Sequence, residues 1–196
     1  KDIFNYAYLH ELKVRYHSRI AEKNYLKAIE LGEKTKDDFY YKIQRQYMYF
    51  LSNLSRNNEN IERQKKVFEN DPNNENNYIL LICAYFYAYE NKKAYEIALD
   101  ALKKYPHNAL ILQFMGDISK RLGKFDDAIG YWNKAFKIDP EMIDAKYSLV
   151  FLLTEQGKYE EAIKVWEEII EWLNVRGYKD FNWQKSEIKK LRDNLK

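Results

Sequence analysis

Three prolines punctuate the 196-residue chain, and all three stand at one phase. Pro72, Pro106 and Pro140 follow one another at 34-residue intervals (106 − 72 and 140 − 106). A proline cannot continue a helix interior, because its ring removes a hydrogen-bond donor and collides with the preceding turn. A breaker that recurs at a fixed interval means one structural unit recurring at that interval. The chain is therefore constrained to a succession of like units stacked on their neighbours, not to a globule around a single centre.

The unit is clearest between Asn108 and Pro140. Leu112, Met115, Ile118 and Leu122 recur at three- and four-residue steps and line one face of a first helix. Gly123-Lys124 makes a turn. Phe125, Ala128, Ile129, Trp132, Ala135 and Phe136 line one face of a second helix. Gly116 and Ala128 are small where two such helices approach most closely. With Ala109 as position one, Gly116 falls at eight, Ala128 at twenty, Ala135 at twenty-seven and Pro140 at thirty-two. This pattern resembles the tetratricopeptide repeat, a helix–turn–helix unit of 34 residues. The resemblance implies an all-α fold, a right-handed α-solenoid of antiparallel helix pairs with about four to five repeats and a carboxy-terminal capping helix. It also implies a protein-binding role.

The phase carries outward from the central unit. Repeats are expected over 9–40, 41–74, 75–108, 109–142 and 143–176, in a single array spanning 1–196. The repeat at Glu75 keeps Ala94, Ala101 and Pro106 in place. The repeat at Ile143 echoes the central turn in Gly157-Lys158-Tyr159 and carries Trp166 where Trp132 stands. Asn174 replaces its proline, so its second helix is expected to run on to a cap at Gly177. The repeat at Tyr41 is weaker: Asn60 replaces the alanine, Gln64 is polar, and Asn57-Asn58 is the expected turn. Further back, Asn24 to Ile29 echoes Lys158 to Ile163 and places a second helix in the first repeat. The tail over 178–196 is expected to cap the array, with Phe181, Ile188, Leu191 and Leu195 on one face.

Composition narrows the function. Charged residues make up 32% of the chain, but 33 basic against 30 acidic residues leave a net charge of only +3. That balance argues against direct nucleic-acid binding. The proline phase also argues against the RNA-reading pentatricopeptide repeats, whose period differs. The longest apolar run, Tyr78 to Tyr89, is too short to span a membrane. A single cysteine, Cys83, forms no intrachain disulfide and suits a reducing, cytoplasmic setting. The chain opens on Lys1 with no signal-peptide pattern, which leaves room for an upstream segment.

Chemistry-bearing patterns are sparse. His10 and His17 are seven residues apart on one helix, whereas paired helical metal ligands usually stand four apart, and no third ligand is evident. Cys83 lies in an apolar run, where burial raises a thiol's pKa and makes it inert. Glu160-Glu161 and Glu167-Glu168 fall on a solvated helix face. There is no glycine-rich phosphate loop. No catalytic residue, metal site or cofactor is assigned.

What remains is a surface. In the resembled family the first helices of successive repeats line a groove, and positions two, five, nine and twelve point away from the seam with the second helix. Here that stripe holds Lys42, Arg45 and Tyr49, then Ile79, Cys83 and Phe86, then Gln113 and Asp117 with Arg121 one turn on, then Tyr147 and Phe151. The first repeat adds Lys13 and His17. Some relatives clamp chaperone carboxyl termini with lysines, asparagines and an arginine. Of those positions Lys13 matches, while His17, Gln46, Asn76 and Leu80 depart, so that clamp is not present.

Lys13, Lys42 and Arg45 are positive with no acid on their stripe, so the bound protein or peptide segment is expected to be acidic at that end. Ile79, Cys83 and Phe86 have two readings: the apolar floor of the ligand site, or residues over which the chain itself closes. The expected function is a non-enzymatic interaction module. The alternative is the peptide-sensing carboxy-terminal domain of a longer bacterial transcription regulator, in which case a DNA-binding helix-turn-helix would precede Lys1.

Overall fold

The computed structural model describes the backbone of residues 2–195 and the side chains of residues 17–195. All secondary structure among them is α-helical, ten helices packed as sequential antiparallel pairs. The helices fall into two compact units, Lys1–Tyr89 and Glu90–Lys196.

The amino-terminal unit holds α1 (Asp2–Gly32), α2 (Asp38–Asn53), α3 (Asn57–Asn70) and α4 (Glu75–Tyr87). α1 packs on α2, and α2 and α3 both pack on α4. The helix pair expected over 9–40 is instead one continuous helix. No glycine or proline occurs from Asp2 to Leu31, so nothing breaks the hydrogen-bond ladder where a turn was expected. Glu22, just ahead of that place, accepts hydrogen bonds from Tyr47 Oη at 3.1 Å and Arg56 Nη1 at 2.6 Å. The polar connector after α1 ends on Asp37, whose carboxylate caps α2 by accepting from the Tyr40 N–H at 2.9 Å.

The turn of the next repeat also differs from expectation. Asn57 and Asn58 open α3, and the chain turns at Ser55, where φ is 58°. Ser55, Tyr89, Gly123 and Gly157 have φ values of 58°, 60°, 76° and 71°, and each stands 34 residues before the next. The repeat is thus written in the backbone as a left-handed residue at every hairpin turn, whether or not glycine occupies it. Inside the unit, Asn60 and Gln64 are each 1% exposed on α3. Both Asn60 side-chain polar atoms and Gln64 Oε1 lack a hydrogen-bond partner among the described residues. An alanine at position twenty would carry no such desolvated groups.

The carboxy-terminal unit holds α5 (Asn91–Lys104), α6 (Ala109–Arg121), α7 (Phe125–Ile138), α8 (Ile143–Glu155), α9 (Tyr159–Val175) and α10 (Asn182–Asp193). Each packs on the next, and α6 also touches α8. The small residues act as the period requires: Ala128 and Ala135 are fully buried, and Gly116 lies directly under the Trp132 indole. α9 runs past the missing proline and stops at Gly177 (φ 86°), with the Tyr178 N–H bonded back to the Leu173 carbonyl.

The tail forms α10 over a shorter span than 178–196. Ile188 and Leu191 enter the same core as Trp166 and Ile169. Burying each contributes about 1.5–3 kcal/mol. Leu195 was expected on that face but is 48% exposed, because α10 ends at Asp193. Gln184 takes the buried place one turn before Ile188.

Candidate functional site

The first helix of each repeat carries the stripe expected to face a ligand. In the amino-terminal unit α2 presents Lys42, Arg45 and Tyr49. Lys42 is exposed and Arg45 half-buried, and neither makes an ion pair among the described residues. Tyr49 is 56% exposed, with its ring edge-on to Tyr87 at 5.6 Å. His17 on α1 is exposed. Lys13 and His10 lie outside the residues whose side chains are described.

The apolar floor is corrected by burial. Ile79 is 2% exposed, Cys83 is fully buried and Phe86 is 9% exposed. α2 lies against α4 in this unit, and Ser52 Oγ of α2 donates to the Tyr87 carbonyl at 3.0 Å. The Cys83 thiol shows the same environment: burial pushes it up to about 12, and the nearby Arg45 charge offsets only part of that. All three side chains are thus covered by the chain itself.

In the carboxy-terminal unit the stripe stays open, and it is polar where the other is closed. α6 brings Gln113, Asp117 and Arg121; α8 brings Tyr147 and Phe151. Asp117 is the centre. Its Oδ1 accepts from Trp132 Nε1 at 2.9 Å and lies 3.5 Å from Ser148 Oγ. Burial raises its carboxyl to about 6. The Trp132 bond and the positive Arg121 act in the opposite direction, and Asp144 adds to the rise. A part-buried acid thus joins second-helix core to first-helix surface. Arg121 itself is exposed.

The aromatic residues of α8 divide between core and solvent. Phe151 is 44% exposed and meets Trp166 edge-on at 6.0 Å. Tyr147 is half-buried, because Trp183 of α10 stacks on it at 6.0 Å and meets Trp166 edge-on at 5.1 Å. Trp183, itself half-exposed, extends the aromatic surface beyond the stripe. Neither Ser148 nor Trp183 was legible as part of this surface. Ser148 stands off the stripe by one position, and Trp183 stands off the tail's apolar face. Only the packing of α10 on α9 brings its ring to Tyr147.

Residues 121–175 match the tetratricopeptide repeat family model. No curated protein matches the sequence significantly. Among solved structures, TTC0263 from Thermus thermophilus, a thermophilic tetratricopeptide repeat protein, superposes with a TM-score of 0.59 at 18% identity, covering 89% of this chain and 98% of that one. MamA from Desulfovibrio magneticus RS-1, residue 41 to its end, gives 0.59 at 17% identity over 83% of this chain and 97% of that one. The Sgt2 repeat domain from Aspergillus fumigatus gives 0.52 at 19% identity over 62% and 78%. These likenesses are of fold. Residues 121–175 thus match the tetratricopeptide repeat, and the chain as a whole has the fold of tetratricopeptide repeat proteins, with a 34-residue period in sequence and backbone.

Proposed function

We propose that the protein is a non-enzymatic interaction module that binds extended segments of other proteins at the open first-helix stripe of each unit. The observation that carries this reading is the surface of α6 and α8. An open aromatic ring, Phe151, stands on the same face as Tyr147, and the Asp117–Ser148 contact ties the two helices into one surface. Half-exposed aromatic side chains rimmed by polar groups form the usual centre of a protein-binding patch, because they bury area with little conformational entropy to lose. In the amino-terminal unit, Lys42 and Arg45 beside the exposed Tyr49 favour a ligand with carboxylates, since neither cation is neutralised within the described chain.

The test uses a displayed library of extended peptides, with affinities then measured for the peptides recovered. Binders should be enriched in acidic and apolar residues. Their affinity should fall about tenfold or more in Phe151→Asp, or in Lys42→Glu/Arg45→Glu, equivalent to about 1.4 kcal/mol. The charge-dependent part should weaken as salt rises. Circular dichroism confirms that each variant is folded. Peptides that bind both variants as tightly as the parent protein would place the ligand surface elsewhere.

A further inference from the structure

The amino-terminal unit contains a cavity of about 210 Å³ that lies off the first-helix stripe. It is lined by the connector after α1, the first half of α2, the second half of α3 and the start of α4 with the turn before it. Its inner wall is α2, where Tyr41 and Gln44 stand one turn apart on one face. Tyr41 is 5% and Gln44 3% exposed, yet the Tyr41 hydroxyl and the Gln44 amide make no hydrogen bond among the described residues. Neither polar end is among the fully enclosed unpaired atoms, so both are open to a hydrogen-bonding ligand from the cavity they line. From α3, Arg63 joins them. Its guanidinium lies 5.6 Å from the Tyr47 ring centroid and has no carboxylate within ion-pair distance among the described residues.

The acids of the cavity complete the pattern. Glu33 is occupied: it accepts from the Tyr40 hydroxyl at 2.5 Å and sits 3.3 Å from Lys36, and the tyrosine bond holds its carboxyl below the usual range. Asp71, an exposed residue of the lining, makes no side-chain hydrogen bond or ion pair among the described residues. Among the described residues the cavity therefore offers one cation outside any ion pair, Arg63, whose charge Glu33 feels, with two neutral hydrogen-bonding groups and the carboxylate of Asp71.

We propose that this cavity binds a small zwitterion of amino-acid size, with its carboxylate on Arg63, Tyr41 and Gln44 and its ammonium group toward Asp71. The planar guanidinium fork matches a carboxylate with two parallel hydrogen bonds, and Tyr41 and Gln44 supply further donors. The volume admits a free amino acid but not a folded chain. The site does not depend on the peptide-binding stripes.

The probes are the free amino acids one at a time, with propionate, butylamine and inorganic phosphate as comparisons, read by calorimetry and by thermal shift of the full chain. At least one amino acid should bind and raise the melting temperature, and the comparison compounds should bind at least tenfold more weakly. Arg63→Gln should weaken that binding at least tenfold. Tyr41→Phe and Asp71→Asn, which keep shape and packing, should each weaken it several-fold. Three results would overturn the proposal: no amino acid binds at millimolar concentration, binding survives Tyr41→Phe and Asp71→Asn unchanged, or phosphate binds as well as the best amino acid.

Discussion

Gly116 is the point at which the repeat geometry can be tested with a single methyl group. A Cβ added there would stand 2.4 Å from both Cδ1 and Nε1 of Trp132 and 2.8 Å from Cε2, where ordinary contact begins at 3.4 Å. The indole would have to retreat by about 1 Å. It has nowhere to go: Trp132 is 1% exposed, and its Nε1–H is held by Asp117 at 2.9 Å. Overpacking of this kind costs about 1–3 kcal/mol. Weakening a hydrogen bond to an ionised acceptor adds about 1–2 kcal/mol. The intrinsic helix preference of alanine over glycine returns about 1 kcal/mol. The net loss for Gly116→Ala is about 1–4 kcal/mol, and its melting temperature should fall by about 2–16 °C. Gly130 supplies the control. It lies in α7, and a Cβ there meets nothing within 4 Å. Gly130→Ala should therefore gain about 0.5–1 kcal/mol and melt slightly higher than the parent. Thermal melts followed by far-ultraviolet circular dichroism read both. A Gly116→Ala protein that melts at or above the parent, or a Gly130→Ala protein that loses as much, would refute the packing described for this repeat.

Asp117 makes stability depend on pH. Its folded-state carboxyl is raised from an ordinary 3.8 to about 6, so its contribution is full below about 4 and is lost as pH rises through about 6. The loss is at most about 3 kcal/mol. Asp117→Asn keeps an acceptor for Trp132, so the melting difference between variant and parent should grow in the variant's favour from pH 4 to 7; a difference that stays constant would remove the titration from this site. Ser55 holds a left-handed turn without the glycine that Gly123 and Gly157 supply, and Ser55→Gly should stabilise by about 0.5–1 kcal/mol, read as a shifted urea midpoint at unchanged slope. Removing residues 178–196 uncovers Trp166 and Ile169, and the truncated protein should melt lower or self-associate in sedimentation analysis; a monomer of unchanged stability would show that α10 is not a cap.

The fold was readable because its determinants are local. Pro72, Pro106 and Pro140 break helices by covalent geometry, and Gly123 and Gly157 turn the chain by the absence of a Cβ, so neither effect needs a distant partner. The three- and four-residue recurrence of Leu112, Met115 and Ile118 likewise fixes a helix face before anything packs on it. The same rules misplaced the turn at Asn57-Asn58, where polar composition drew attention away from the phase that pointed to Ser55. They also found a turn in α1 where an echo of later repeats stood without any residue able to interrupt the helix.

The site was readable only in direction. Helical phase says where Ile79, Cys83, Phe86, Tyr147 and Phe151 point around their own axes, and the same phase applies to all five. Whether that direction ends in solvent depends on how near the neighbouring helix comes, which is a property of two surfaces. α2 lies close enough to α4 that Ile79 and Cys83 are almost wholly covered, whereas Phe151 on α8 stays 44% exposed. Trp183 reaches Tyr147 only because α10 docks on α9, and the cavity at Gln44 and Arg63 exists only where α2, α3 and α4 meet the connector after α1. Secondary structure and repeat phase follow from each residue's own bonds and period; exposure, the raised Asp117 carboxyl and the unpaired groups of the cavity follow from distances between helices, and those were decided by tertiary packing.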